Sequence, residues 1–132
     1  MKSIHYKAVF VACVMIIMAS FAEAADRVRS GQWVGKSVVK DKTYPSSECL
    51  TQGDVEAMNG DAKSIKTYME KKIPPEICKL TNIKVNGSEI IYTASCVTGA
   101  VNVVTTKYHG DSFESVSTDG TRTEAKLVGV CK

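Results

Sequence analysis

The alternation of apolar and polar residues changes its period along the chain, and each period predicts an element. Residues 32–40 alternate with period two, so that Trp33 and Val39 fall on one face of an extended segment. This alternation predicts a first strand. Residues 41–47 contain Pro45 and two serines, which are typical of a loop or an interrupted strand.

The period then lengthens to that of a helix. Thr51 followed by Asp54 is an acidic variant of a capping box, and it predicts a short helix that ends near Met58. Asp61 is a second N-cap residue, and the apolar residues after it recur at helical spacing. We therefore predict a second helix over residues 62–72.

Strand patterns and turn residues occupy the rest of the chain. Asn86-Gly87 lies between two alternating segments and predicts a hairpin with a two-residue turn, which would set Ile83 opposite Ile90. The turn at Gly110-Asp111 would likewise place Tyr108 across from Phe113. The expected structural core comprises Trp33, Ile83, Ile90 and Tyr92.

These elements define an α+β fold that is mainly β. We expect a curved antiparallel sheet, a meander of about five strands that tends toward a half-barrel. A short two-helix insertion follows the first strand.

The N-terminal residues have the pattern of an export signal. Lys2 and Lys7 precede a 14-residue apolar run, and Ala22-Glu23-Ala24 follows it, which predicts a signal peptide over residues 1–24 cut after Ala24. A membrane span needs about 20 apolar residues. Lipid attachment at Cys13 is disfavoured, because only a short apolar stretch precedes it. Residues 25–132 then form a single disulfide-stapled domain.

Charge limits the partners of that domain. The chain has 17 lysine and arginine and 14 aspartate and glutamate residues, and removal of Lys2, Lys7 and Glu23 leaves a net charge of +2. This is too small for a nucleic-acid-binding footprint. We expect a soluble periplasmic protein, with secretion as the second choice, and no membrane span after signal removal.

Four cysteines remain after the predicted cleavage: Cys49, Cys78, Cys96 and Cys131. An even number in a short exported domain predicts two disulfides, whereas zinc ligands normally come in closely spaced pairs. Three pairings are possible. We prefer Cys49–Cys78, which would close the helical segment, with Cys96–Cys131, which would tie the last strand to the sheet. The predicted hairpin register also places Cys78 and Cys96 on opposite faces.

The residues that carry candidate chemistry are few. His109 is the one histidine outside the predicted signal, and we interpret it as a turn residue because its neighbours Asp111 and Ser112 are common in turns. Trp33 is interpreted as a core residue rather than a stacking platform. The lysines of the second helix are interpreted as a solvated face. We therefore assign no catalytic, cofactor-binding or metal-binding residue and expect no cofactor.

The order of several short motifs resembles a known bacterial family. The motifs are Ser30-Gly31-Gln32-Trp33, Cys49-Leu50-Thr51, Cys78 with an Asn-Gly hairpin to Cys96, Tyr108 to Phe113, and Leu127 to Cys131. Together they resemble the domain of unknown function 3617 family, whose members are small exported proteins, mostly from Gram-negative bacteria. The chain lacks the family's usual proline before Gly-x-Trp and the methionine-rich stretch after it. The resemblance implies export and architecture, but it brings no established activity.

Two functions from different classes remain. A sheet covered by a helical segment can leave an apolar concavity for a small hydrophobic ligand or a partner protein, which favours a non-catalytic binding or interaction module. The alternative is a hydrolase-like periplasmic enzyme with a site near His109. Because the chain has few residues of the types that catalysis uses, its composition favours the binding module over the enzyme.

Overall fold

The structure is a computed structural model that describes residues 27–132, and the predicted signal peptide lies outside the described residues. Within that range the chain forms two helices and seven strands. In chain order they are β1 (Gly31–Val39), β2 (Lys42–Leu50), α1 (Gln52–Met58), α2 (Ala62–Lys72), β3 (Cys78–Asn86), β4 (Glu89–Cys96), β5 (Val101–Tyr108), β6 (Ser112–Ser117) and β7 (Arg122–Gly129).

The seven strands form one open antiparallel sheet in the order β2-β1-β7-β6-β5-β4-β3. The last five strands are a meander, and the N-terminal hairpin joins it beside β7. The predicted mainly-β architecture with an antiparallel sheet and two helices is confirmed. The predicted count of about five strands is wrong, and the helices follow the second strand rather than the first. The sheet is open, with β2 and β3 as its edge strands.

The additional strand is β2, which occupies the segment expected to be a loop. Lys40 and Asp41 both have positive φ, 47° and 68°, and form the two-residue turn that joins β1 to β2. Pro45 lies opposite Lys36 within β2. A proline is tolerated there because β2 is an edge strand, and one side of its backbone has no neighbouring strand to receive a hydrogen bond.

Both helices begin at the predicted caps. The Thr51 hydroxyl accepts the Asp54 N–H at 3.3 Å, and the Thr51 N–H donates to Asp54 Oδ2 at 2.9 Å, which completes the capping box. These hydrogen bonds hold the pKa of Asp54 below its usual value. Asp61 caps the second helix by accepting the Ser64 N–H at 2.9 Å.

The core lies between the two helices and one face of the sheet. Ile65 of α2 is fully buried, and Trp33 of β1 is 3% exposed, with its indole N–H donating to the Arg29 carbonyl at 2.9 Å. The buried cluster comprises Val28, Trp33, Leu50, Val55, Met58, Ile65 and Ile90. Of the other residues expected in the core, Ile83 and Tyr92 are half-buried and pack against this cluster.

The segment before β1 is held against the helices by hydrogen bonds. The Asn59 carboxamide accepts the N–H groups of Arg27 and Val28 at 2.9 and 3.0 Å and donates to the Val28 carbonyl at 3.0 Å. The Arg27 guanidinium donates to the carbonyls of Met58, Gly60 and Gly87 at 2.8–3.0 Å. It thereby satisfies free carbonyls at the end of α1 and ties that end to the β3–β4 hairpin.

The β3–β4 hairpin has a different register from the expected one. Asn86 pairs with Glu89, so the two-residue loop is Gly87-Ser88, and Ile90 lies opposite Val85 instead of Ile83. A bulge then places Asn82 and Ile83 together against Tyr92, with Asn82 at φ 53°. One extra residue on one strand exchanges the two faces beyond it.

That bulge explains why the structure corrects the expected disulfides. Beyond the bulge Cys78 lies directly opposite Cys96 on the same face, and the two cysteines are bonded. The other disulfide joins Cys49 to Cys131. Cys49 lies opposite Gln32, which in turn pairs with Gly129, so the residues after β7 reach Cys49 across β1. The preferred pairing of Cys49 with Cys78 and Cys96 with Cys131 is therefore wrong.

Candidate functional site

A row of hydroxyl side chains crosses the helix-facing side of the sheet. Four residues lie directly opposite one another on neighbouring strands, in the order Ser37 (β1), Thr123 (β7), Ser115 (β6) and Thr106 (β5). The hydroxyls of Ser37 and Thr123 are 2.9 Å apart, and the Thr106 hydroxyl donates to that of Ser115 at 3.0 Å. Thr106 is 6% exposed and is the most deeply placed of the four.

A cavity of about 280 Å³ lies between this row and the helices. Four of its lining residues are apolar: Met58, Met69, Ile90 and Phe113. Six carry a hydroxyl: Tyr68, Tyr92, Thr106, Tyr108, Ser115 and Thr123. Ser115 and Thr123 are half-exposed, whereas Thr106 and Ile90 are buried, so the cavity deepens from β6 and β7 toward β4 and β5.

Contacts between tilted aromatic rings position one wall of the cavity. Tyr108 and Phe113 are cross-strand partners, as predicted, with ring centroids 5.6 Å apart. On the other side of Phe113, the Trp33 ring lies at 5.8 Å. The three rings connect the buried core beneath α1 and α2 with the cavity, so that the core fixes the orientation of the Phe113 wall.

The three tyrosines of the cavity share one electrostatic environment. Burial raises the pKa of Tyr108 well above its usual value, and the neighbouring Tyr92 adds to this effect. Burial also raises the pKa of Tyr92 and of Tyr68. All three phenols therefore keep their protons near neutral pH and are available as hydrogen-bond donors.

Two larger concavities are lined by exposed charged residues. The first, about 620 Å³, is a groove between the helices whose lining includes Asp54, Glu56 and Lys71. The second, about 610 Å³, lies on the opposite side and includes His109 and Glu114. We place the candidate site in the smaller cavity, because it packs against the core and combines apolar walls with convergent polar groups.

His109 lies apart from the cavity. Its side chain is 58% exposed, and its Nε2 atom is 3.8 Å from Glu114 Oε1, which is longer than a hydrogen bond. Its backbone N–H donates to the Ser112 carbonyl at 2.8 Å and closes the β5–β6 turn. The geometry that would support catalysis, a histidine held by a carboxylate or serine within a cleft, is not formed at this position.

The lysines of α2 have different environments, although the sequence placed them on one solvated face. Lys72 forms an ion pair with Glu48 of β2, and its ammonium lies 5.8 Å from the centre of the Tyr68 ring. Lys66 is paired more loosely with Glu70, at 3.8 Å. The end of α2 is thereby joined to β2 beside the cavity-lining Tyr68.

The sequence predicted Ile90 and Tyr92 as core residues and Tyr108 and Phe113 as a cross-strand pair, but it did not connect these four residues with a cavity. It missed the hydroxyl row. A usable signal was present, because the predicted pairing of Tyr108 with Phe113 also sets Thr106 opposite Ser115. The place of Thr123 in the row could not be read from that hairpin, since it depends on how β7 pairs with β6.

The described part of the chain has neither a cluster of metal ligands nor a helix that could span a membrane. Residues 27–132 contain no group of three or more histidine, cysteine, aspartate or glutamate residues arranged to hold a metal ion. None of the helices in this part of the chain is long and apolar enough to cross a membrane.

Fold and site together define a small, disulfide-bonded, mainly-β domain with a hydroxyl-lined cavity beneath a pair of helices. Among known families, the model described as "Protein of unknown function (DUF3617)" matches residues 28–131. The chain belongs to this family, in agreement with the order of its sequence motifs. No curated protein matches the chain, and no solved structure matches it.

Proposed function

We propose that the protein is an exported, periplasmic, non-catalytic binding module that holds a small, largely apolar ligand in the cavity between the helices and the sheet. The observation that carries the proposal is the cavity itself. Met58, Met69, Ile90 and Phe113 give it apolar walls, and a few hydroxyls converge on the same space, as is usual for small-molecule sites.

The disulfides support export. Disulfides form and persist in oxidising compartments such as the periplasm. All four cysteines of residues 27–132 are paired in the structure. Together with the signal-peptide pattern of residues 1–24, this supports cleavage after Ala24 and a single domain over residues 25–132.

The sheet edges favour a small ligand over a partner that adds a strand. Pro45 interrupts the series of N–H groups along the edge strand β2. The other edge strand, β3, is interrupted by the bulge at Asn82 and Ile83. Proline and bulges are common devices by which edge strands avoid pairing with another chain.

Native mass spectrometry of the protein purified from the periplasm of its own host tests the proposal. We expect a polypeptide that begins at Ala25 and a fraction of molecules with an additional mass that dissociates on denaturation. A polypeptide that still begins at Met1 would contradict the export part. Protein without any retained or exchangeable small molecule would contradict the binding part, while leaving export intact.

A further inference from the structure

We propose that the cavity selects an uncharged ligand that has a two-ring-sized apolar body and one oxygen atom able to accept a hydrogen bond from a tyrosine hydroxyl. This inference rests on the proposed function and specifies its ligand class. Three features of the cavity carry it: the absence of charged side chains among its lining residues, the tyrosine hydroxyls without a partner in the protein, and its size.

The first feature is the uncharged lining. The ten lining residues include no aspartate, glutamate, lysine, arginine or histidine. A carboxylate or ammonium group that entered would lose part of its hydration without gaining an opposite charge, which is unfavourable. The nearby Arg27 does not line the cavity, and its Nε and Nη1 atoms already donate to three backbone carbonyls.

The second feature is the set of free donors. The Thr106 hydroxyl donates to Ser115 and so uses its proton within the protein. Among the hydrogen bonds of residues 27–132, none involves the hydroxyl of Tyr68, Tyr92 or Tyr108. Because no buried side-chain oxygen in this range lacks a partner, the three hydroxyls are reached by solvent, which a ligand oxygen would replace. These phenols are protonated near neutral pH, so each can donate a hydrogen bond to an alcohol or carbonyl oxygen of a ligand.

The third feature is size and wall chemistry. A dry cavity of roughly 150 Å³ holds benzene. The volume here, about 280 Å³, accommodates about two rings. Phe113 and Tyr108 present ring surfaces, and Met58 and Met69 are flexible thioethers that pack well against aromatic groups. A compact ring system fits these walls better than a long chain.

Three probes with one ring system and different charges test the selection. They are 2-naphthylmethanol, which is neutral, 2-naphthoate, which is anionic at pH 7, and 2-naphthylmethylamine, which is cationic at pH 7. We would measure affinity by isothermal titration calorimetry and locate the site from amide shifts of Thr106 and Ile90. We expect the neutral probe to bind at least about tenfold more tightly than either ion.

Tyrosine variants test the hydrogen bond separately from the shape. Tyr68→Phe, Tyr92→Phe and Tyr108→Phe remove one hydroxyl each and keep the ring, and Tyr44→Phe is the matched control because Tyr44 is exposed on β2, away from the cavity. At least one of the three cavity variants should weaken the binding of 2-naphthylmethanol about five- to tenfold. None should weaken the binding of 2-methylnaphthalene, which has no oxygen, and the control should alter the binding of neither probe.

The possible outcomes distinguish this inference from the proposed function. If the charged probes bind in the cavity as tightly as the neutral one, the selection is wrong and the binding function stands. If all three cavity variants bind 2-naphthylmethanol like the unsubstituted protein, the assigned donors are wrong. If no probe shifts the amides of the cavity, the ligand class inferred here is wrong, and the binding function still stands or falls with the small molecule retained by the native protein.

Discussion

At the scale of single residues, Trp33 contributes to both the core and the site. It is the only tryptophan of the chain, it is 3% exposed, and its indole N–H has a backbone partner in the Arg29 carbonyl. Its ring also supports Phe113, which lines the cavity. Removal of the indole should therefore affect stability directly and the cavity through Phe113.

We predict that Trp33→Ala lowers the free energy of unfolding by about 3–5 kcal/mol, as other truncations of large buried aromatic residues do. Urea denaturation of the disulfide-intact protein measures this change. Tyr44→Ala serves as a control, because Tyr44 is 53% exposed and its truncation should lower the free energy of unfolding far less. Equal effects of the two substitutions would show that the indole is not part of the core.

At the scale of elements, the bulge in β3 determines which faces the cysteines occupy. Asn82 has a φ of 53°, a left-handed conformation that asparagine tolerates better than β-branched residues do. If the strand ran on without a bulge, the register of Lys84 with Ile91 would continue through it. Cys78 would then lie opposite Val97 and on the other face from Cys96.

Deletion of Asn82 alone should preserve the Cys78–Cys96 disulfide, because it removes the extra residue of the bulge and leaves Thr81 opposite Thr93 and Cys78 opposite Cys96. Deletion of both Thr81 and Asn82 should instead prevent the disulfide, because Cys78 then lies opposite Ser95, on the other face from Cys96. We expect thiol titration of the denatured, unreduced proteins to find no free thiol in the single-deletion variant and two in the double-deletion variant. Equal numbers of free thiols in the two variants would show that the strand register does not decide this pairing.

At the scale of the whole molecule, the two disulfides constrain very different lengths of chain. Cys49–Cys131 joins residues 82 positions apart and connects the end of β2 with the C-terminus. Cys78–Cys96 joins residues 18 positions apart within one hairpin. A disulfide that closes a longer loop removes more entropy from the unfolded chain.

We therefore expect loss of the Cys49–Cys131 disulfide to lower the free energy of unfolding more than loss of the Cys78–Cys96 disulfide does. In the chain-entropy model, Cys49→Ser/Cys131→Ser should lower the free energy of unfolding by about 4.5 kcal/mol, and Cys78→Ser/Cys96→Ser by about 3 kcal/mol. Chemical denaturation of the two double variants under identical conditions provides the comparison. The reverse order would indicate that loop entropy does not set the contribution of these disulfides.

Much of the local structure could be read from the sequence. Thr51 with Asp54 and the following Asp61 specified both helix starts, because a cap depends on hydrogen bonds between residues three positions apart. The Tyr108–Phe113 pair followed from a short turn, whose length fixes the register of the strands that it joins.

The sequence by itself thus determined the features that depend on neighbours along the chain: the helix caps, the β5–β6 hairpin and the mainly antiparallel β class. Only the tertiary structure decided the disulfide pairing and the cavity. The bulge at Asn82 exchanged the faces of Cys78, and the hydroxyl row arose because β1 and β7, distant in sequence, lie side by side and bring Ser37 to Thr123. Such contacts depend on how whole strands are ordered and registered in the sheet, which no short stretch of residues specifies.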